Sequence, residues 1–283
     1  MPSLQQLRRR LKSVKSIHQI TRAMEMVATS KMKLATKKAV SARDYSNAIS
    51  EMFSSLGNQP HPLLENREVE NIALVLVTSD RGLCGGFNSA LFRKTIAFIE
   101  EIKERNQNIS IITIGKKGRN FVLKTCRENF VADFTDIEDE IQYEEISPIA
   151  HLIIEDFINK KFDQVSLIYS HYISSFIQEP TLIQLLPVIY QEDVRQEDKY
   201  LLEPTQRIIL DRLAPQFIET KIFHTLLESK ASEHSARMVA MRNATENAKD
   251  LMDELYLTYH GLRQATITSE LIEMTTAKRA MED

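Results

Sequence analysis

Residues 4–34, LQQLRRRLKSVKSIHQITRAMEMVATSKMKL, decide the fold. Apolar side chains fall at Leu4, Leu7, Leu11, Val14, Ile17, Ile20, Met24, Val27 and Leu34, in steps of three, four and seven that mark one face of a long helix. A three-residue stammer at Val14 to Ile17 is expected to overwind a supercoil locally. Neither Gly nor Pro interrupts the chain between Pro2 and Gly57, and Pro2 followed by Ser3 suits a helix start. The other end repeats the pattern. Met238, Met241, Thr245, Ala248, Met252, Leu255, Tyr259, Leu262, Thr266 and Ser269 alternate steps of three and four, the signature of a coiled-coil seam that becomes more polar towards its end. Gly261 costs about 1 kcal/mol relative to Ala and weakens this helix only locally. A helix of some 50 residues is about 75 Å long, whereas a compact chain of 283 residues has a radius of gyration of about 19 Å. Such a helix must protrude, and pairing the two ends as one antiparallel rod covers both apolar stripes.

Between the ends, apolar strands alternate with helices. Ile72 to Thr78, Ile109 to Gly115 and Val165 to Tyr169 read as strands, with Leu182 to Pro187 a fourth; Ser89 to Arg105, Lys117 to Cys126 and Ser147 to Lys161 read as helices. Such interleaving implies an α/β layer with a mostly parallel sheet, Rossmann-like in plan. The expected division is an N-terminal coiled-coil helix over 1–57, an α/β domain over 70–205 and a C-terminal coiled-coil helix over 208–283. The acidic stretches Asp136 to Glu145 and Tyr190 to Lys199 lack periodicity and read as exposed loops.

Composition narrows the function. Only 7 Gly and 8 Pro occur among 283 residues, as suits a helix-rich chain, and the hydrophobic share of 43% is that of a globular protein. Cys84 and Cys126 stand far apart with no His or second Cys at ligand spacing, so neither a disulfide framework nor a zinc site is expected. The seven His include no metal-binding pair, no nucleophile elbow occurs, and carboxylates cluster only in the acidic stretches. No cofactor, metal or catalysis by the chain alone is therefore expected. No apolar run approaches the length of a membrane span, and the N-terminus carries arginines where a signal peptide needs an apolar core. Residues 1–45 hold eleven Lys or Arg against only Glu25 and Asp44, although the whole chain carries a net charge of -3. A basic arm on an acidic body suits an acidic partner. Basic-zipper DNA binding fits poorly, because Leu7, Leu11 and Val14 run the apolar seam through the basic cluster. The turn Ser79-Asp80-Arg81-Gly82-Leu83-Cys84-Gly85-Gly86-Phe87-Asn88 follows a strand and precedes a helix, where a dinucleotide fold would seat pyrophosphate. Its glycine spacing matches no phosphate-binding fingerprint, and a nucleotide-binding enzyme using Gly82 to Gly86 remains the rival reading.

Four stretches resemble one family. Leu7 to Val14 with Gln19 to Ala28, Ser79 to Asn88, Ala231 to Met241, and Arg263 to Glu270 are similar, in order, to signatures of the gamma subunit of F-type ATP synthases. The resemblance implies the central rotor stalk. Its paired terminal helices would insert into a ring of three alpha and three beta subunits, and its α/β foot would rest on the membrane c-ring, with the epsilon subunit as a further partner. Coupling of proton or sodium flow to ATP synthesis would proceed by rotation, with catalysis in the partners. It further implies that Arg263 and Gln264, with Thr268 and Glu270, contact the beta subunits. Glu233 and Arg237 would form a second polar contact set, Met24 a coupling-sensitive position, and Tyr200 and Glu203 the surface facing the rotor ring. The chain departs from the family pattern at His260 and Gly261 and again after Glu273. The absence of a cysteine pair between Val188 and Leu210 and of a transit segment implies a bacterial enzyme, peripheral on the cytoplasmic face of the inner membrane.

Overall fold

The computed structural model describes residues 3–56, 60–139, 141–189, 203 and 205–282. In chain order the elements are α1 (Leu4–Ser55), β1 (Asn71–Val77), α2 (Phe87–Glu104), β2 (Asn108–Ile114), α3 (Lys116–Thr125), β3 (Phe130–Phe134), α4 (Ser147–Ile158), β4 (Gln164–Tyr172), β5 (Gln178–Leu186) and α5 (Gln206–Glu282). Single 3₁₀ turns occur at Pro62–Leu64, Arg127–Asn129 and Tyr143–Glu145. The chain divides into two compact units, Met1–Val27 with Met238–Asp283, and Ala28–Arg237. Both α1 and α5 contribute a segment to each.

The larger unit is built on a five-stranded sheet of order β3-β2-β1-β4-β5. Strands β3, β2, β1 and β4 run parallel, and β5 pairs antiparallel with β4 at one edge. The expected mostly parallel sheet is thus present. Its centre is buried on both faces, which is why β1 reads as an uninterrupted apolar run. Ile72, Leu74 and Leu76 pack with Leu91, Ile99 and Val122 of α2 and α3, while Ala73, Val75 and Val77 join a cluster containing Ile149 and Phe157 of α4, Phe53 of α1 and Leu226 of α5. Sequence reading missed β3, whose residues are half-buried or exposed at the sheet edge, and shortened β5, where Pro180 is tolerated because the strand is an edge.

In the smaller unit, Leu7, Leu11 and Val14 of α1 pack with Ala248 and Leu255 of α5, flanked by Met252, Tyr259 and Leu262. Ser3 opens α1 with a reciprocal capping box: Gln6 N–H donates to Ser3 Oγ at 3.2 Å and Ser3 N–H to Gln6 Oε1 at 3.0 Å. The helices run antiparallel here, since Leu7, Leu11 and Val14 pack with Ala248 and Leu255 while Thr21, further along α1, bonds the earlier Thr245. The α5 seam from Met238 to Thr266 is buried or half-buried as expected, and Ser269 is exposed.

The expected stammer in α1 is absent. Ile17, Ile20, Val27 and Leu34 are exposed, whereas Ala28, Met32, Ala35 and Ala39 are buried. The heptad continues unbroken from Leu7, Leu11 and Val14 through half-buried His18, Thr21 and Glu25 to Ala28 and beyond. Hydrophobicity alone misplaced the seam because three of its positions are polar and several more are alanine. Asp136 to Glu145 also departs from the exposed loop expected of it. Ile141 is buried, Asp139 is ion-paired, and Tyr143 opens a 3₁₀ turn with its hydroxyl 2.8 Å from Glu219 Oε2. The other acidic stretch, Tyr190 to Lys199, lies outside the described residues.

Candidate partner interface and buried polar core

The glycine turn after β1 is occupied by its own side chains. Asn88 Nδ2 donates to Ser79 Oγ at 2.7 Å, Asn88 Oδ1 accepts Ser79 N–H at 3.2 Å, and Ser79 Oγ donates to Arg81 O at 2.8 Å. Asp80 Oδ1 accepts the Lys116 N–H at 3.0 Å, so this carboxylate caps the neighbouring turn. The glycine that is most constrained is Gly115, with φ of +101°, where an added Cβ would stand 2.3 Å from Thr78 O. Its role is close approach of two loops. The cavity at the ends of β1 and β2, lined by Thr78, Asp80, Gly115, Ser229, Lys230 and Glu233, measures about 10 Å³, room for one water against the ~300 Å³ or more of a ligand pocket. That crevice has no room for the nucleotide that the rival reading of Gly82 to Gly86 would seat there.

What fills it is a buried polar core along α5. Glu233 and Arg237, expected as a partner-facing set, are 5% and 9% exposed and form an i,i+4 pair at 2.7 Å. Arg237 also approaches the Arg81 and Gly82 carbonyls at 3.4 Å and donates to His234 Nδ1 at 3.2 Å. A guanidinium only donates, so His234 Nδ1 accepts and its proton sits on Nε2, facing Asp139 Oδ1 at 3.2 Å. Asp139 is further paired with Lys31 of α1 and lies 3.8 Å from Lys230 of α5. The close approach of His234, reinforced by Lys31, holds the Asp139 carboxyl far below the usual carboxylate range despite its partial burial.

A second buried carboxylate lies five residues before Glu233 on α5. Glu228, 4% exposed, accepts from His171 Nδ1 at 2.8 Å and stands 3.8 Å from Arg43 and 3.9 Å from His224. Burial, together with the Glu228 charge, pushes the Tyr169 hydroxyl well above the usual phenol range. Burial depresses His224, with Glu228 opposing. Sequence reading passed over Asp139, Lys31, Lys230, Glu228 and His171. The one available signal was the density of Glu, His, Ser and Arg between Glu228 and Arg237, a stretch free of helix breakers.

The remaining expected contact residues lie on open surface. Arg263, Gln264, Thr268 and Glu270 are all exposed, on successive turns of α5. Thr268 Oγ1 donates to Gln264 O at 2.9 Å, and neither Arg263 nor Glu270 has an ion pair among the described residues. Around them Ile267, Leu271, Ile272, Met274 and Met281 are also exposed. Met24 is half-buried on α1, close in sequence to the charged groove formed by His18, Arg22, Glu25, Met26, Arg242 and Lys249. Glu203 is exposed, and Tyr200 lies outside the described residues. No helix of the described residues is long and apolar enough to cross a membrane.

Comparison with known proteins agrees with this architecture. The ATP synthase family matches residues 3–281. The ATP synthase gamma chain of Dehalococcoides mccartyi is 42% identical over 99% of this chain and 100% of its own length, and that of Pelotomaculum thermopropionicum is 40% identical over the full length of both. Among solved structures, the central stalk and c-ring of Tetrahymena thermophila mitochondrial ATP synthase aligns with a TM-score of 0.62 at 25% identity, covering 80% of this chain and 99% of that one. A chain of the Euglena gracilis mitochondrial ATP synthase shares the fold with a TM-score of 0.73 at 20% identity, covering 98% of this chain and 94% of that one. With a long helix at each end, a mostly parallel sheet between them and full-length identity near two residues in five, the chain belongs to the ATP synthase gamma-chain family.

Proposed function

We propose that the chain is the shaft of a rotary ATP synthase, carrying rotation from a membrane rotor ring to catalytic alpha and beta subunits while performing no chemistry itself. The observation that carries this reading is the C-terminal end of α5. Beyond Leu262, large apolar side chains are exposed together with Arg263 and Glu270, which have no ion pair among the described residues, and such a surface suits a partner. Arg263 suits carboxylate-bearing loops of a beta subunit, because its planar fork pairs with a carboxylate bidentately. Gln264, Thr268 and Glu270 extend the same contact, and Met24 biases it from α1. The shaft acts as a differential contact, favouring a different conformation in each catalytic neighbour as it turns.

At the other end, Tyr200 and Glu203 would face the c-ring, and the epsilon subunit would bind the α/β layer. The chain would lie on the cytoplasmic face of a bacterial inner membrane, held there through the complex. The expected division into 1–57, 70–205 and 208–283 then separates the two shaft helices from the foot. The test is Arg263→Ala in the assembled complex. A lost arginine contact at a partner interface is worth on the order of 1–2 kcal/mol, so ATP turnover should fall severalfold with the chain's own fold intact. Unchanged hydrolysis and pumping would remove Arg263 from the interface.

A further inference from the structure

We propose that Asp139 is the positioning residue that passes rotation from the α/β layer to both shaft helices. Its segment leaves β3 at Phe134 and enters α4 at Ser147, so both its ends are fixed in the layer. At its middle, the Asp139 carboxylate holds Lys31 of α1 and faces His234 and Lys230 of α5. The same strap is pinned on either side: Lys230 Nζ donates to Ile137 O at 3.2 Å, and Tyr143 OH donates to Glu219 Oε2 at 2.8 Å. One carboxylate therefore joins three elements that are far apart in sequence, all within the Ala28–Arg237 unit.

The apolar contacts of α1 and α5 with the sheet are extensive, but they are non-directional and resist a small rotation of a helix about its own axis weakly. A charge-assisted hydrogen bond has a preferred direction and length, and it opposes that rotation. His234 continues the linkage. Its Nε2 faces Asp139 while its Nδ1 accepts from Arg237, which reaches the Arg81 and Gly82 carbonyls at the end of β1. The layer thus grips α5 from two loops, after β1 and after β3, with His234 and Arg237 between them. It grips α1 through Lys31.

This inference rests on the rotary reading, and single-molecule rotation of the assembled complex separates the two. If the unaltered complex does not rotate, the rotary reading fails. If it rotates, complexes carrying Asp139→Asn are expected to show broadened angular fluctuation of the shaft and a loss of ions pumped per ATP hydrolysed, with Asp139→Glu restoring both. Should Asp139→Asn fail to assemble, Lys31→Met carries the same test on a half-exposed side chain whose loss spares the buried His234. A role in folding alone would lower the melting temperature and leave both mechanical readouts unchanged in the complexes that assemble. That outcome overturns the proposal.

Discussion

The two segments of α5 bury themselves by different rules. From Met238 onward a narrow seam meets α1, with Met241, Ala248 and Leu255 buried and the rest of each turn in water. From Leu226 to Arg237 almost every residue is buried or half-buried, whichever way it points, and the buried set includes Glu228, Glu233, His234 and Arg237. The first segment is held by an apolar stripe at heptad spacing. The second is held by polar groups that must each find a partner. The difference teaches that one continuous helix can serve as a coiled-coil strand along one part of its length and as a structural core element along another.

Breaking a partnered charge in the core segment should have the largest effect. Arg237→Ala leaves Glu233 buried without its cation and should cost about 3–5 kcal/mol, visible as a large fall in the thermal unfolding midpoint. In the seam, Leu255→Ala removes a buried side chain from a thin interface and should cost about 2–3 kcal/mol, read by the same melt. Ile20→Ala, at a position assigned to the seam by hydrophobicity and found exposed, should change stability by less than about 0.5 kcal/mol. A loss comparable with that of Leu255→Ala would return Ile20 to the seam.

The contrast also predicts a pH dependence belonging to the larger unit. Burial lowers the affinity of His224 and His61 for a proton relative to the unfolded chain, whose histidines titrate near 6.5. Stability from this source is fully present above that value and declines as pH falls below it, because the unfolded chain then binds protons that the folded one refuses. Asp139 behaves oppositely in origin but alike in sign: its carboxyl is depressed, so its contribution is retained at mild acidity and lost only below the ordinary carboxylate range near 3.8. Melting curves between pH 7.5 and 5.5 should therefore move with the histidines alone. Replacing both with Gln should flatten that shift.

Much of this architecture was legible in the residues. The α5 seam, β1, β2 and the three helices of the α/β layer follow from periodicity, since each buries a regular stripe or two full faces. The α1 seam was legible only where it is leucine and valine. At His18, Thr21 and Glu25 its positions are polar, and the Thr21–Thr245 hydroxyl pair at 2.9 Å shows how one of them is satisfied. The candidate contact residues at the end of α5 came from resemblance, because exposed polar residues have no periodic signature of their own. The buried ion network was illegible for a different reason: Lys31, Asp139 and His234 are separated by 108 residues in one step and lie on three elements, and pattern within one element cannot report a contact between elements.

Beyond half-buried Thr266, α5 continues as an exposed helix end, with Leu262 the last apolar side chain to pack against α1. Successive side chains on a single helix are turned by about 100°, so Arg263, Ile267 and Glu270, spaced at i, i+4 and i+7, look out together from one face. Chemically identical neighbours arranged around such an end cannot all meet the same residue. A lone helix with one such face breaks their equivalence.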